Sequence, residues 1–346
     1  MSDEGIPITL FCYPGSVFAR RVSWYLDLRK ISYRVCIQPN RLPRPELSDR
    51  LNIKHRRIPI LAIGRDVYCD TRLIIRKLDQ LFPPSPVYPG LRVLSASDHG
   101  LAALLENWTV DGGVFWRATQ LIPPNSPLAQ DDATLRDREE FTGRKADTGS
   151  DWAATRQFAM VQLETSLRLL ETTVLADGRD WLAKSYMDGP SVADIHAVWV
   201  FDWLLNDEYM KGAVSAEERE RWESRYPKTW AWLQRWRRFL ADNKCWEAEK
   251  EEHPRQIDGE KAAELMEMAG FAEQVKVKEL DEEVAGVNRG DTVEVWPTDS
   301  GFTHHDKGTL VGMTPEEVVI EVETETGEEI QLHFPRVNFR VEKSVE

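Results

Sequence analysis

The sequence predicts a chain of three folded parts: an α/β unit over 1–86, an all-helical unit over 87–252 and, after a helical linker over 253–284, a small β module over 285–346. Three observations carry this reading. Short apolar runs alternate with amphipathic, helix-length ones as far as Phe82. Between Trp108 and Trp246 the spacing turns helical and gathers most of the 13 tryptophans, enough for a large aromatic core or cleft. After Val293 the apolar residues recur at every second position, as strands require. A length of 346 residues, too great for one ordinary domain, agrees.

In the first part, the apolar strand Ile8–Tyr13 runs into a Pro14-Gly15 turn, and Ser16 opens a helix over Val17–Arg29 with Phe18, Val22, Tyr25 and Leu26 on its apolar side. Tyr33–Gln38 reads as the next strand. A polar stretch rich in proline and arginine follows, then Ile58–Ile63, a Gly64-Arg65-Asp66 turn, Val67–Cys69 and a helix through Leu73, Ile74, Ile75, Leu78 and Leu81. The order βαβ, hairpin, helix is that of a thioredoxin-like domain. Pro83, Pro84 and Pro86 end it.

The second part predicts one helix over about Leu94–Leu121 carrying Trp108, Phe115 and Trp116, then mostly irregular chain over Pro123–Ser150 with a short helix near Leu135–Phe141. A strong amphipathic helix spans Trp152–Ala176 and stops at Gly178. Ser191 followed three residues later by Asp194, just before an apolar run, reads as an N-cap whose carboxylate partner reaches back, close to a capping box. Trp222 to Trp246 supplies the closing helices, and Asp258–Ala272 reads as an amphipathic connector. In the last part Val293 and Val295, Val318 to Val322, Ile330 to Phe334 and Val337 to Val341 alternate between turns. About five short strands in so little chain predict a small barrel or sheet of SH3-like size.

The bulk numbers exclude some functions. A net charge of -14 disfavours nucleic-acid backbones and anionic membranes as main partners. No apolar run is long enough to span a membrane, and MSDEGIP has no charged-then-apolar signal, so a cytosolic protein is expected. Cys12, Cys36, Cys69 and Cys245 are scattered, with no C-x-x-C pair, and read as reduced thiols. His304-His305-Asp306 has no third ligand at helpful spacing, so no metal is expected there. The glutamates from Glu316 to Glu329 make the β module acidic, which favours a protein-binding or dimer-supporting surface over nucleic acid.

With Pro14-Gly15 before Ser16, Ile58-Pro59 before a strand, Asp70-Thr71 opening a helix and Ser191-Val192-Ala193-Asp194 opening another, the chain resembles the glutathione transferase superfamily over roughly its first 250 residues. Such proteins ordinarily lack the last module. The resemblance implies an enzyme that binds glutathione as co-substrate and activates its thiol for attack on an electrophilic small molecule or for isomerisation, and that forms a homodimer. It places Ser16 at the catalytic position of serine-type classes, with Tyr13 the rival because tyrosine-type classes place their hydroxyl near the end of this strand. It implies a cis Ile58–Pro59 bond presenting the backbone of Ile58 to the cysteinyl part, and Asp70 and Thr71 on the γ-glutamyl group. Asp70 is one methylene shorter than the usual glutamate. Trp108, Phe115 and Trp116 would face the second substrate. Arg56 and Arg57 would either meet the glycyl carboxylate or sit in a solvated loop.

The chemistry is affordable at this turn. Lowering a thiol pKa from about 8.5 by two units needs roughly 2.7 kcal/mol of thiolate stabilisation. One hydroxyl donating to a charged sulfur can give about 1.5–3 kcal/mol, and a helix N-terminus adds up to about 1 more. Other readings stand beside this one. Ser16 and Asp70 can be helix caps alone, the fold can be kept as a binding or assembly module whose C-terminal barrel recruits a protein partner, or Cys12 can serve a thiol oxidoreductase.

Overall fold

The first strand, β1 (Ile8–Cys12), is buried at every position, because it is an inner strand whose alternate residues enter two cores, Leu10 one and Phe11 the other. The computed structural model describes residues 5–144, 152–186, 188–243, 255–273 and 286–344; Cys245 and Trp246 lie outside them. Around β1 the first part holds α1 (Val17–Leu28), β2 (Arg34–Ile37), β3 (Ile60–Ile63), β4 (Asp66–Cys69) and α2 (Thr71–Leu81). β2 runs parallel to β1, β3 antiparallel to it, and β4 antiparallel to β3, which is the thioredoxin-like arrangement. The expected one-sided amphipathicity of α1 is not what forms. The helix lies between the sheet and the helical part, so Arg20, Arg21 and Ser23 are buried with its apolar residues.

The helical part comprises α3 (Ala96–Val110), α4 (Val114–Thr119), α5 (Pro127–Gln130), α6 (Asp132–Thr142), α7 (Trp152–Leu169), α8 (Val192–Asn206), α9 (Ala216–Arg225) and α10 (Pro227–Asp242). The single helix expected over Leu94–Leu121 is two, broken at Asp111-Gly112-Gly113, where Gly113 has φ +91°. α7 passes into a π-helical turn over Leu170–Val174 before Gly178. α8 is the axis of this part, with thirteen of its residues buried. Asp194, fully buried at its start, accepts hydrogen bonds from the Ser191 N–H (2.8 Å) and Oγ–H (2.8 Å), the Leu182 N–H (2.9 Å) and the Trp232 indole (2.9 Å). It is a folding cap, with all its acceptor capacity taken up by the protein. α1 docks on this part through Phe18 against Trp199 (ring centroids 4.8 Å) and Trp24 against Trp236 (5.2 Å).

The last part departs from expectation. β6 (Thr292–Pro297), β7 (Asp306–Met313), β8 (Glu317–Glu323), β9 (Glu329–Pro335) and β10 (Phe339–Lys343) make the expected five strands, with β10 paired to β6. Among the described residues, no ladder joins β9 back to β10 to close a separate barrel. β9 instead pairs in parallel with β4, Tyr68 opposite His333, so that one ten-stranded sheet runs β10-β6-β7-β8-β9-β4-β3-β1-β2-β5. The short strand β5 (Gln256–Ile257) pairs with β2 at the other end, and α11 (Gly259–Glu267), capped by Asp258, follows it. Both edges of the first domain's sheet are thus covered within the chain.

Candidate active site

The turn after β1 and the start of α1 form the floor of a cavity of about 1000 Å³. Gly15 takes φ +81°, and a Cβ there would lie 2.4 Å from the Tyr209 ring, so the turn needs glycine for both its backbone and its packing. Ser16 follows as the N-cap: its Oγ accepts from the Ala19 N–H at 3.2 Å. A hydroxyl that accepts in a cap still holds one proton to donate, and among the described residues that proton has no acceptor. Val17 and Phe18 of the first turn of α1 line the same cavity, and that turn has no acidic side chain to oppose an anion.

Ile58, Pro59, Asp70 and Thr71 line the cavity beside Ser16, and the Ile58–Pro59 bond is cis. Asp70 caps α2 by accepting the Arg72 N–H at 3.0 Å, and holds φ +73°, a conformation uncommon for a residue with a side chain. Burial alone would push its pKa up, but Arg72, Arg57, the capping N–H and Arg21 outweigh that and hold the carboxyl below its usual range. It is therefore an anion at neutral pH, suited to a ligand ammonium. The Thr71 hydroxyl accepts from Arg21 at 2.9 Å, which leaves its own proton for a ligand carboxylate.

Arg21 is fully buried and was not foreseen as part of the site. It spans from Thr71 to Glu106 (2.7 Å) and His196 Nδ1 (2.9 Å), tying the site to α3 and α8. Guanidinium cannot accept, so Nδ1 must, and His196 is neutral; burial pushes its pKa down to about 4, which agrees. The sequence signal was present: Arg20-Arg21 lies inside a stretch that helical spacing makes apolar on both sides.

The remaining predicted residues separate. Phe115 and Trp116 line the cavity, whereas Trp108 stands outside its lining and packs on Phe201 with ring centroids 6.2 Å apart. Tyr13 lines it too, and its hydroxyl meets Arg138 Nη2 at 3.4 Å. Arg56 is neither solvated nor free for a ligand, because it pairs with Asp137 (2.8 Å) and Glu140 (3.2 Å) of α6. Arg57 contacts Asp70 (3.5 Å), the Ser300 carbonyl (2.7 Å) and Asp299. Thr298, Asp299 and Ser300, on the loop after β6, form part of the cavity wall, so the C-terminal module reaches the site.

The three cysteines among the described residues do not suit thiol exchange. Cys12, Cys36 and Cys69 are buried; burial pushes Cys12 and Cys36 up to about 12 and raises Cys69 as well, so none supplies a thiolate. His304 and His305 turn to different partners, Thr303 and Glu294, and His305 stacks on Trp296. A separate trio of candidate metal ligands, Asp66, Glu273 and His333, lies outside the cavity, where the Lys77 ammonium, 2.7 Å from Glu273 and 2.8 Å from Glu317, already supplies a cation. Among the described residues, no helix is long and apolar enough to cross a membrane.

Comparison with known proteins agrees with the fold. The glutathione S-transferase N-terminal domain family matches residues 10–86, and a domain of unknown function, DUF7962, matches residues 117–245. Glutathione S-transferase U1 of Arabidopsis thaliana is 29% identical over 91 residues, which are 26% of this chain and 39% of that protein. A GST-like protein from Pseudomonas syringae superposes with a TM-score of 0.63 at 21% identity, covering 98% of this chain and 99% of its own. At that identity the likeness is one of fold, and it extends over the C-terminal sheet. A rice GST1 in complex with glutathione aligns over 76% of this chain and 96% of its own, at 16% identity and a TM-score of 0.48. Residues 10–86 thus match the glutathione S-transferase N-terminal domain family, and the thioredoxin-like and all-helical architecture shares the fold of the GST-like protein.

Proposed function

We propose that the protein is a glutathione transferase-like enzyme in which Ser16 stabilises the glutathione thiolate for attack on an electrophilic small molecule. The observation that carries this is the Ser16 hydroxyl, which caps α1 with its oxygen and keeps its proton for the cavity. Asp70 and Thr71 supply an anion and a donor for the γ-glutamyl end, and Ile58 and Pro59 line the same cavity. The homodimer and the cytosolic setting that the resemblance implies belong to the same proposal; sedimentation reads the first.

The test is calorimetric binding of glutathione to wild type, Ser16→Ala and Tyr13→Phe, with the bound thiol titrated by ultraviolet absorbance. Wild type should bind and ionise the thiol near neutral pH, and Ser16→Ala should bind yet leave its pKa about two units higher, the shift one charged hydrogen bond supplies. Ionisation that survives Ser16→Ala and fails in Tyr13→Phe would transfer the role to Tyr13. Absence of binding to wild type would refute the proposal. The alternative, a non-catalytic module recruiting a protein partner by strand addition, would use β10, whose outer edge is unpaired among the described residues. The Arg340, Glu342 and Lys343 side chains there are of the kind that keep an edge strand single, which favours the enzyme.

A further inference from the structure

Four of the acidic groups around the cavity are matched by cations of the chain itself. Asp111 pairs with Arg72 (2.8 Å), Asp137 with Arg56 (2.8 Å), and Asp70 and Asp299 both meet Arg57. Arg44 spends its charge on the carbonyls of Pro39 (2.9 Å) and Arg56 (2.6 Å). Arg138 differs. It lines the cavity half-buried, and its Nη2 has two long, neutral contacts, the Tyr13 hydroxyl at 3.4 Å and the Asn40 carbonyl at 3.3 Å. Among the described residues it forms no ion pair. Arg117, also on the cavity wall, likewise has no carboxylate partner; it meets Gln120 at 3.2 Å and lies over the Phe158 ring at 4.8 Å.

A guanidinium held at the wall by weak neutral contacts is a ready partner for an oxyanion, because its planar fork matches a carboxylate with two parallel hydrogen bonds. Its neighbours are apolar: Phe141 lies under Arg138 at 5.9 Å, and Phe115, Trp116 and Trp152 line the same cavity. Charge and apolar surface together define a ligand with an aromatic or aliphatic body and one acidic group. The position beside Tyr13 places that group next to the strand end that carries Ser16, since the Tyr13 carbonyl accepts the Ser16 N–H at 3.1 Å.

We propose that the second substrate is an electrophile bearing a carboxylate or another oxyanion, oriented by Arg138. This rests on the transferase reading above. Its test pairs chlorodinitrobenzene with its acidic analogue chlorodinitrobenzoate in conjugation assays on the full chain. Anilinonaphthalene sulfonate and neutral phenylnaphthylamine are titrated by fluorescence on the same protein without glutathione. Wild type should prefer the acidic member of each pair, and Arg138→Gln should reduce that preference about tenfold or more, the worth of one charged hydrogen bond. Arg138→Lys, which keeps the charge but loses the planar fork, should fall between wild type and Arg138→Gln, and a preference retained in part excludes a folding defect. The fluorescence arm still decides if neither substrate is conjugated, in which case the transferase reading fails by itself. Equal handling of charged and neutral members by wild type, or a preference that survives Arg138→Gln, overturns the proposal. So does a loss confined to glutathione affinity, which would assign Arg138 to a carboxylate of glutathione.

Discussion

Replacing His333 by glutamine should loosen the C-terminal strands from the first domain. His333 lies at the β4–β9 junction, 1% exposed, with Nε2 2.8 Å from Asp66 Oδ1 and Nδ1 2.5 Å from Glu317 Oε1. Glu273 stands at 3.9 Å, Lys77 pairs with Glu273 and Glu317, and the Tyr68 ring lies 4.6 Å away. Breaking a buried ion pair by removing one partner costs about 3–5 kcal/mol. Here the lower end applies, because Asp66 keeps the amides of Ala272 and Glu273 and Glu317 keeps Lys77. About 3 kcal/mol corresponds to roughly a hundredfold in an opening equilibrium. Hydrogen exchange followed by mass spectrometry on peptides covering β9 and β4 should therefore speed up about a hundredfold, with little change in α8. The pH dependence has a definite sign. Burial alone would lower the His333 pKa, but its hydrogen bonds to Asp66 and Glu317 raise it above the ordinary value. Its stabilisation is thus complete below about pH 6.5 and is lost as pH rises through the higher folded value. Exchange in β9 that is unchanged in His333→Gln, or that shows the same alkaline acceleration as wild type, would refute the reasoning.

Two further outcomes follow from buried groups elsewhere. Burial pushes the Asp306 carboxyl up to about 7, although Oδ1 accepts the N–H groups of Lys54 (2.6 Å) and His55 (3.2 Å). A raised acid binds protons in the folded state first, so stability should fall as pH climbs from about 4 to about 7, by up to ~4 kcal/mol; melts across that window should be flatter for Asp306→Asn. Gly15→Ala, forced to φ +81° with its Cβ 2.4 Å from Tyr209, should lose about 1–2 kcal/mol in urea unfolding and bind glutathione more weakly in calorimetry; unaltered affinity would mean the turn does not shape the site.

The thioredoxin-like part was legible because its signals are local. Strand spacing, the Pro14-Gly15 turn, the Ser16 cap and the Asp70 cap each depend on a few neighbouring residues, and the structure forms all of them. The pairing of β9 with β4 was not legible, because nothing near Ile330 or Val67 states which strand edge will meet it over more than 260 intervening residues. β7 was the least visible strand of its module for a local reason: Gly308 and Gly312 interrupt the alternation, and the β7–β8 register shifts between Leu310 and Gly312. The site divided in the same way. Ser16 and Thr71 could be placed from their own helix starts, whereas Trp108 falls outside the cavity because the break at Gly112-Gly113 reorients Phe115 and Trp116 relative to it.

The C-terminal module cannot be treated as an appendage that a truncation would remove cleanly. Its β9 covers the edge of β4, His333 neutralises the fully buried Asp66, and Asp306 satisfies the amides of Lys54 and His55 just before the Ile58–Pro59 turn. Removing it would leave a row of unpaired backbone groups and a buried carboxylate without its cation, each costly in apolar surroundings. The same deletion would release Arg57 from Asp299 and Ser300 and so alter the charge beside Asp70. Loss of activity on truncation would therefore report folding and site electrostatics together. A substitution confined to Thr298–Ser300 separates them, since that loop touches the cavity while β9, His333 and Asp306 hold the sheet.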